Sequence, residues 1–394
     1  MNAIFSSNER EYVNRLKRKD RDDLLGKFQR SSQGCNTDPP MRIQILQREY
    51  LPIDLRMRIF TDLRNGACEK QLQWVRKLLR IPLGTYCAPR LSPDHVKQAV
   101  ADARRAMNDC MTGYTEAKAE VAKMACRHVL SRGRASASYA LAIEGPPGTG
   151  KTRFVRKALG RALERPLISI PLGGATDVSY LLGSLYTYEG SKEGRLVAAL
   201  VEAGCANPIL HFDEVDKVSA TDRGQEIINT LIHLIDPSAN TNMRDRYFHD
   251  LDLDFSKCTF VFTFNDASLV SPVLLDRMKR IRVEAPTLTE RSAIVRKHLM
   301  PIAQSRAHTD LAASDGLINA LVTRRASGGM RGVDRDLEHA LSEAQMDLIE
   351  RGRDVSTAID AHGMVTCAFG LRAVESLSTS RVDRPPPPPP GMFS

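Results

Sequence analysis

The chain lacks the marks of membrane, secreted and zinc-dependent proteins. None of its apolar runs is long enough to span a bilayer, and the N-terminus, MNAIFSSNER, is polar where a signal peptide needs an apolar stretch. Eight cysteines are scattered from Cys35 to Cys367 without a CxxC pair, and the nine histidines are equally dispersed. That argues against a zinc site or a disulfide scaffold and predicts a reducing compartment, the cytoplasm or the nucleus. Aromatic residues make up only 6% of the chain, with one tryptophan, Trp74. It stands among Leu72, Val75, Leu78 and Leu79, which recur at helical spacing, so it reads as packing and not as a ligand platform. At 394 residues there is room for two or three domains with real cores.

The net charge of +9 is unevenly placed: residues 1–140 carry 26 Lys and Arg against 15 Asp and Glu, and the remainder 30 against 32. Such a basic third is either a surface for nucleic acid or an acidic partner, or a solvated helix face. Its bases are interspersed with acids, as in KRKDRDD at 17–23, and no aromatic stacking pattern accompanies them.

What is present is concentrated in residues 145–152, GPPGTGKT. Gly145, Pro146, Pro147, Gly148, Thr149, Gly150, Lys151 and Thr152 have the form of a phosphate-binding P-loop. Its glycines let the backbone curl so that N–H groups converge on phosphate oxygens. Lys151 would reach the β- and γ-phosphates, and the Thr152 hydroxyl would hold Mg²⁺. The apolar run YALAI at 139–143 precedes the loop as a buried strand would. Residues 153–163 follow at helical spacing, so the phosphates would sit at a helix N-terminus. The loop therefore predicts a bound nucleoside triphosphate.

Strand candidates recur at 166–170, 208–212, 259–263 and 280–283, with helices between them. Alternation at this pace predicts a three-layer α/β domain, a parallel sheet covered on both faces by helices. Residues 286–353 read as helices only, broken at SGGMRG (327–332), and 1–30 as a charged helix with a turn-rich linker at 31–40. The expected plan is a helical region over 1–85, connector helices and the nucleotide-binding domain over 86–285, a helical lid over 286–355 and a tail over 356–394. Six prolines, Pro385 to Pro390, form either a polyproline II rod for an SH3-, WW- or profilin-like partner or a disordered terminus.

The segment HFDEVDK at 211–217 follows a buried strand and supplies adjacent carboxylates. Asp213 would bind Mg²⁺ through water, and Glu214 would polarise the attacking water. Phosphoryl transfer needs an in-line nucleophile and charge neutralisation more than covalent chemistry. Asn265, at the tip of the next strand, would orient that water or simply form a turn. Arg277, just before the last strand, and Arg331, opening a lid helix, are two candidates to neutralise γ-phosphate charge. One would act from a neighbouring subunit and one from the same chain; the alternative for both is a solvated surface arginine.

In this order GPPGTGKT, HFDEVDK, TFNDAS, LLDRM and GGMRGVDRDLE resemble AAA+ ATPases, and the chain is similar to the ATPase module of Lon proteases over about residues 105–350. Finer marks are LGG at 172–174, YEG at 188–190 with Gly194 and Arg195, LIDP at 234–237 and DRY at 245–247. The resemblance implies ATP as the nucleotide, a sensor-1 role for Asn265, a trans-acting arginine finger at Arg277 and a sensor-2 role for Arg331. It marks Gly113 and Tyr114, within DCMTGYTEAK at 109–118, as contacts to adenine. It also implies a homo-oligomeric ring, a hexamer, whose central channel grips polypeptide through Tyr188.

Two departures qualify that likeness. The residue after the pore aromatic is usually apolar and here is Glu189, while LGSLYT at 182–187 replaces a basic run, leaving a buried structural tyrosine as the alternative for Tyr188. A Ser–Lys protease domain would follow the lid in Lon, but only the tail at 356–394 does so here, and the β-rich front region is missing too. The expected function is an ATP-hydrolysing motor that unfolds or remodels proteins in a ring without a peptidase of its own. The competing expectation is a nucleic-acid-associated AAA+ ATPase such as a loader, replication or packaging factor.

Overall fold

The computed structural model describes residues 41–131, 139–188, 190–218, 220–307, 313–324 and 329–350. The helix and linker expected over 1–40, Glu189 and the polyproline tail lie outside the described residues. The chain divides between Ile81 and Pro82 into two compact units.

In the first unit, three helices span Met41–Gln47, Ile53–Asn65 and Glu69–Arg80. Leu55 and Ile59 lie four apart, and Val75 and Leu78 three apart, so each pair falls on one face; these residues are buried with Ile45. Arg48 Nη2 donates to the Leu79 carbonyl at 2.5 Å. Trp74 is half-buried on the third helix.

In the second unit, one parallel sheet holds β1 (Tyr139–Glu144), β2 (Leu167–Pro171), β3 (Ile209–Asp213), β6 (Thr259–Phe264) and β7 (Lys279–Arg282), in the order β2-β3-β6-β1-β7. A short antiparallel ribbon, β4 (Met243–Arg244) with β5 (Asp252–Leu253), lies in sequence between the helix Asp222–Ile235 and β6. Every residue of β6, TFVFTF, is buried, as a central strand covered on both faces requires. At the edge strand β7 only Ile281 turns inward, and Lys279, Arg280 and Arg282 put charge on the rim, which discourages pairing with another sheet. The helices Val96–Cys110, Thr115–Leu130 and the helical run from Lys151 to Leu163 bring Met107, Val121, Phe154 and Leu159 into one core with Leu141, Ile143 and Val261. Phe212 and Phe262 stack at 5.1 Å between β3 and β6. Each strand read from the sequence falls within one residue of its observed limits.

The lid follows β7. Its first helix, Leu288–Ile294, opens with a capping box: Thr287 Oγ1 accepts from the Glu290 amide at 3.3 Å and Glu290 Oε2 accepts from the Thr287 amide at 2.9 Å. That helix runs on to Ala307; Asp315–Arg324 and Met330–Glu350 complete the lid around Val295, Leu299, Leu321, Val333 and Leu337. Among the described residues no helix is long and apolar enough to cross a membrane.

Because the strands are parallel, their carboxyl ends share one edge of the sheet. From β1 the chain crosses to β2 on one side, and from the adjacent β6 it crosses past β1 to β7 on the other. Ligands of open α/β sheets bind at such a switch point, and the GPPGTGKT loop leaves β1 there.

Candidate functional site

The loop turns from Glu144 into a helix beginning at Lys151. Lys151 folds back on it, with Nζ donating to Gly145 O at 2.6 Å, Pro146 O at 2.9 Å and Asn265 Oδ1 at 3.0 Å. Burial pulls the Lys151 ammonium below its usual pKa, against the opposing attraction of Asp216 and Asp213. At the end of β3, Asp213 Oδ2 accepts from Thr152 Oγ1 at 2.9 Å. Its other oxygen accepts from Thr263 Oγ1 at 2.5 Å and from the Glu214 amide at 3.1 Å. Glu214 has a left-handed backbone, φ 60°, and its Oε1 accepts from Lys217 Nζ at 2.7 Å. Gly173 makes the space for this carboxylate, since a Cβ there would lie 2.3 Å from Glu214 Oε2. The Asn265 amide donates to Asp216 Oδ2 at 2.9 Å, which fixes the strand tip from which the Asn265 side chain reaches Lys151.

The lid meets this loop through backbone. The Met330 amide donates to Gly148 O at 3.0 Å. A Cβ on Gly148 would fall 2.9 Å from Gly329 Cα, so the approach needs glycine on both sides. Arg331, one residue into the lid helix, joins Arg306 on the cavity wall; Arg306 also pairs with Asp334 and Glu338 at 3.3 Å each.

These groups line a cavity of about 720 Å³. Its walls include Pro147, Gly148, Gly150, Lys151, Thr152, Asp213, Glu214, Asn265 and Arg331 from the sequence reading. They also include Arg153, Arg156, Lys157, Lys217 and Arg306, which with Lys151 and Arg331 make seven bases against the acids Asp213, Glu214 and Asp334. Such an excess suits a polyphosphate. The neighbouring oxygens of Thr152 and Asp213 suit a hard cation such as Mg²⁺.

Other expected residues stand elsewhere. Gly145, Pro146 and Thr149 belong to the loop but not to the cavity wall; their carbonyls hold Lys151 and the Tyr114 hydroxyl. Gly113 and Tyr114 are not on the wall either. Tyr114 Oη donates to Thr149 O at 3.3 Å, its ring stacks on Phe154 at 4.8 Å, and burial pushes its pKa up to about 12. It braces the loop from behind. Arg277 is exposed and off the wall, donating to Val273 O at 3.2 Å with Nε 3.8 Å from Asp236 Oδ2. Tyr188 is 63% exposed, which removes the buried-tyrosine alternative. Its loop is closed by Ser184 and Lys192, whose backbone and side-chain hydrogen bonds measure 3.1 Å each. Asp245 anchors the loop by accepting from the Gly194 amide at 2.8 Å.

Gly173, Asp216, Lys217, Thr263 and Arg306 were not singled out from the sequence. Thr263 had a usable signal: it lies two residues before Asn265, hence on the same strand face, and pairs in register with Asp213.

This P-loop, acidic strand end and lid on a parallel sheet define an AAA-type ATPase module. Residues 141–285 match the family model described as ATPase family associated with various cellular activities (AAA). Within that class the module is similar to those of Lon proteases. The chain is 31% identical over 246 residues to a Lon protease homolog of Acanthamoeba polyphaga mimivirus, covering 61% of this chain and 24% of that relative. It is 30% identical over 285 residues to a Lon protease of Helicobacter pylori, covering 72% of this chain and 34% of the relative. It is 37% identical over 211 residues to a Lon protease of Salinispora arenicola, covering 52% and 26%. The chain thus spans a quarter to a third of the length of these curated relatives.

Proposed function

We propose that the chain hydrolyses ATP at interfaces between copies of itself in a ring and uses that work to unfold or remodel polypeptide. Arg277 carries this reading: it is exposed and outside its own chain's cavity, while Lys151, Thr152, Asp213, Glu214, Asn265 and Arg331 converge within it. In a ring, that exposed guanidinium would reach the γ-phosphate held by the adjacent copy. The loop amides and Lys151 would hold the phosphates, and Thr152 and Asp213 would hold Mg²⁺, which when bound neutralises charge on the β- and γ-phosphate oxygens. Glu214 takes the proton of the attacking water once it releases Lys217, its present partner at 2.7 Å. Asn265 orients the water, and Arg331 brings the lid to the γ-phosphate. Exposed Tyr188 and Leu185 provide the apolar grip on a polypeptide. The nucleic-acid alternative rests on net charge alone.

Complementation tests the shared site. Arg277→Ala should lower kcat by about a thousandfold, and mixing it with Lys151→Ala subunits should restore activity, because each variant supplies what the other lacks. Full ATPase activity in Arg277→Ala alone would end the interface mechanism. Stimulation of the wild type by unfolded polypeptide supports the remodelling role; stimulation by DNA or RNA alone would replace it.

A further inference from the structure

Strand β3 reads Ile209-Leu210-His211-Phe212-Asp213, and His211 is fully buried in a position where the strand otherwise holds apolar residues. An imidazole without partners would be costly there. Both ring nitrogens are in fact engaged: Nδ1 lies 3.1 Å from Ser169 Oγ on β2, and Nε2 lies 2.9 Å from Thr263 Oγ1 on β6. The direction of these bonds follows from the last link. Thr263 has one hydroxyl proton, given to Asp213 Oδ1 at 2.5 Å, so its oxygen accepts from His211 Nε2–H. Nδ1 then accepts from the Ser169 hydroxyl. The result is a one-way chain across three strands: Ser169 to His211, His211 to Thr263, Thr263 to Asp213.

We propose that His211 is a positioning residue for the Mg²⁺ site, holding the Thr263 hydroxyl on Asp213 so that the carboxylate presents its other oxygen toward Thr152. The inference rests on the ATPase reading above. Thr263 has a competing acceptor, Phe212 O at 3.5 Å, and without a donor from His211 its hydroxyl is free to turn toward it. Asp213 Oδ1 would then keep only the Glu214 amide, and the orientation of Oδ2 would loosen. Partners behind a metal ligand act in this way, by holding it at the productive angle.

The test is equilibrium binding of a fluorescent non-hydrolysable ATP analogue, with Mg²⁺ and with EDTA, beside the Mg²⁺ dependence of ATPase activity. His211→Leu should weaken Mg²⁺-dependent binding and raise the Mg²⁺ needed for half-maximal activity by about tenfold. It should leave binding in EDTA within about twofold of wild type, because only the metal's carboxylate is disturbed. His211→Gln, whose amide N–H can reach Thr263, should recover most of the loss. Wild-type Mg²⁺ dependence in His211→Leu overturns the proposal, and so does an equal loss in EDTA, which would mark general damage. If His211→Leu does not fold, Ser169→Ala serves: it should shift Mg²⁺ dependence the same way by about threefold, and no shift overturns the proposal. A wild type that binds the analogue with Mg²⁺ but never hydrolyses ATP would refute the ATPase reading and leave this result to be judged on binding alone.

Discussion

Two cations are buried at opposite ends of the same sheet, and they are held differently. Arg165, at the amino ends of the strands, is 9% exposed. It donates to Asn207 O at 2.6 Å, Thr259 Oγ1 at 2.9 Å, Lys257 O at 2.9 Å and Pro208 O at 3.2 Å. Those acceptors lead into β3 and β6, and Asn207 passes the connection on to the backbone of Cys87 at 2.8 and 3.0 Å. Lys151, at the carboxyl ends, is 8% exposed, yet it rests on two carbonyls of its own loop and the tip of one side chain, beside an open cavity. Arg165 is surrounded by neutral acceptors that belong to the fold. Lys151 has the carboxylates of Asp213 and Asp216 nearby and partners that a phosphate can replace. Equal burial thus separates a clamp from a handle by asking what else the partners could do.

Substitution should pull the two apart. The largest expected effect is on binding: Lys151→Ala should weaken ATP affinity at least about a hundredfold while moving the thermal midpoint by no more than about 3 °C, read by calorimetric titration and thermal unfolding. Arg165→Met should do the reverse, costing about 3 kcal/mol through several orphaned carbonyls, or a Tm lower by roughly 6–12 °C, with ATP affinity unchanged well below the midpoint. Loss of ATP affinity in Arg165→Met with an unchanged Tm would break the comparison. A smaller effect sharpens the handle's surroundings. Gly173→Ala should lower kcat about tenfold without changing KM, since the new methyl displaces Glu214 and leaves the phosphate contacts alone; steady-state kinetics reads this directly.

The fold was legible because its signals are local. A strand buried on both faces has to be a continuous apolar run, and YALAI and TFVFT are such runs. The P-loop was legible for the same reason, all its chemistry lying within eight consecutive residues. The remainder of the site depends on register. Thr263 meets Asp213 because β3 and β6 pair in parallel at that step, and Gly173 meets Glu214 because the turn after β2 passes the end of β3. No spacing along the chain encodes those meetings. Tyr114 shows another side of this: its segment reads as an adenine contact by resemblance, and no spacing along the chain encodes that its ring stacks on Phe154 and its hydroxyl bonds the loop at Thr149 O. Arg165 carried no motif, so nothing in its neighbours along the chain announced how many carbonyls would converge on it.

The backbone meeting of Gly148 with Gly329 and Met330 has a mechanical consequence. The helix that starts there is 21 residues long, a stiff rod of roughly 30 Å pivoted at its foot. A tilt of about 5° at that pivot sweeps its far end through roughly 2–3 Å, given the length of such a rod. With no side chain between pivot and phosphate loop to absorb slack, a sub-ångström adjustment around a phosphate becomes a stroke several times larger at the outer end of the lid.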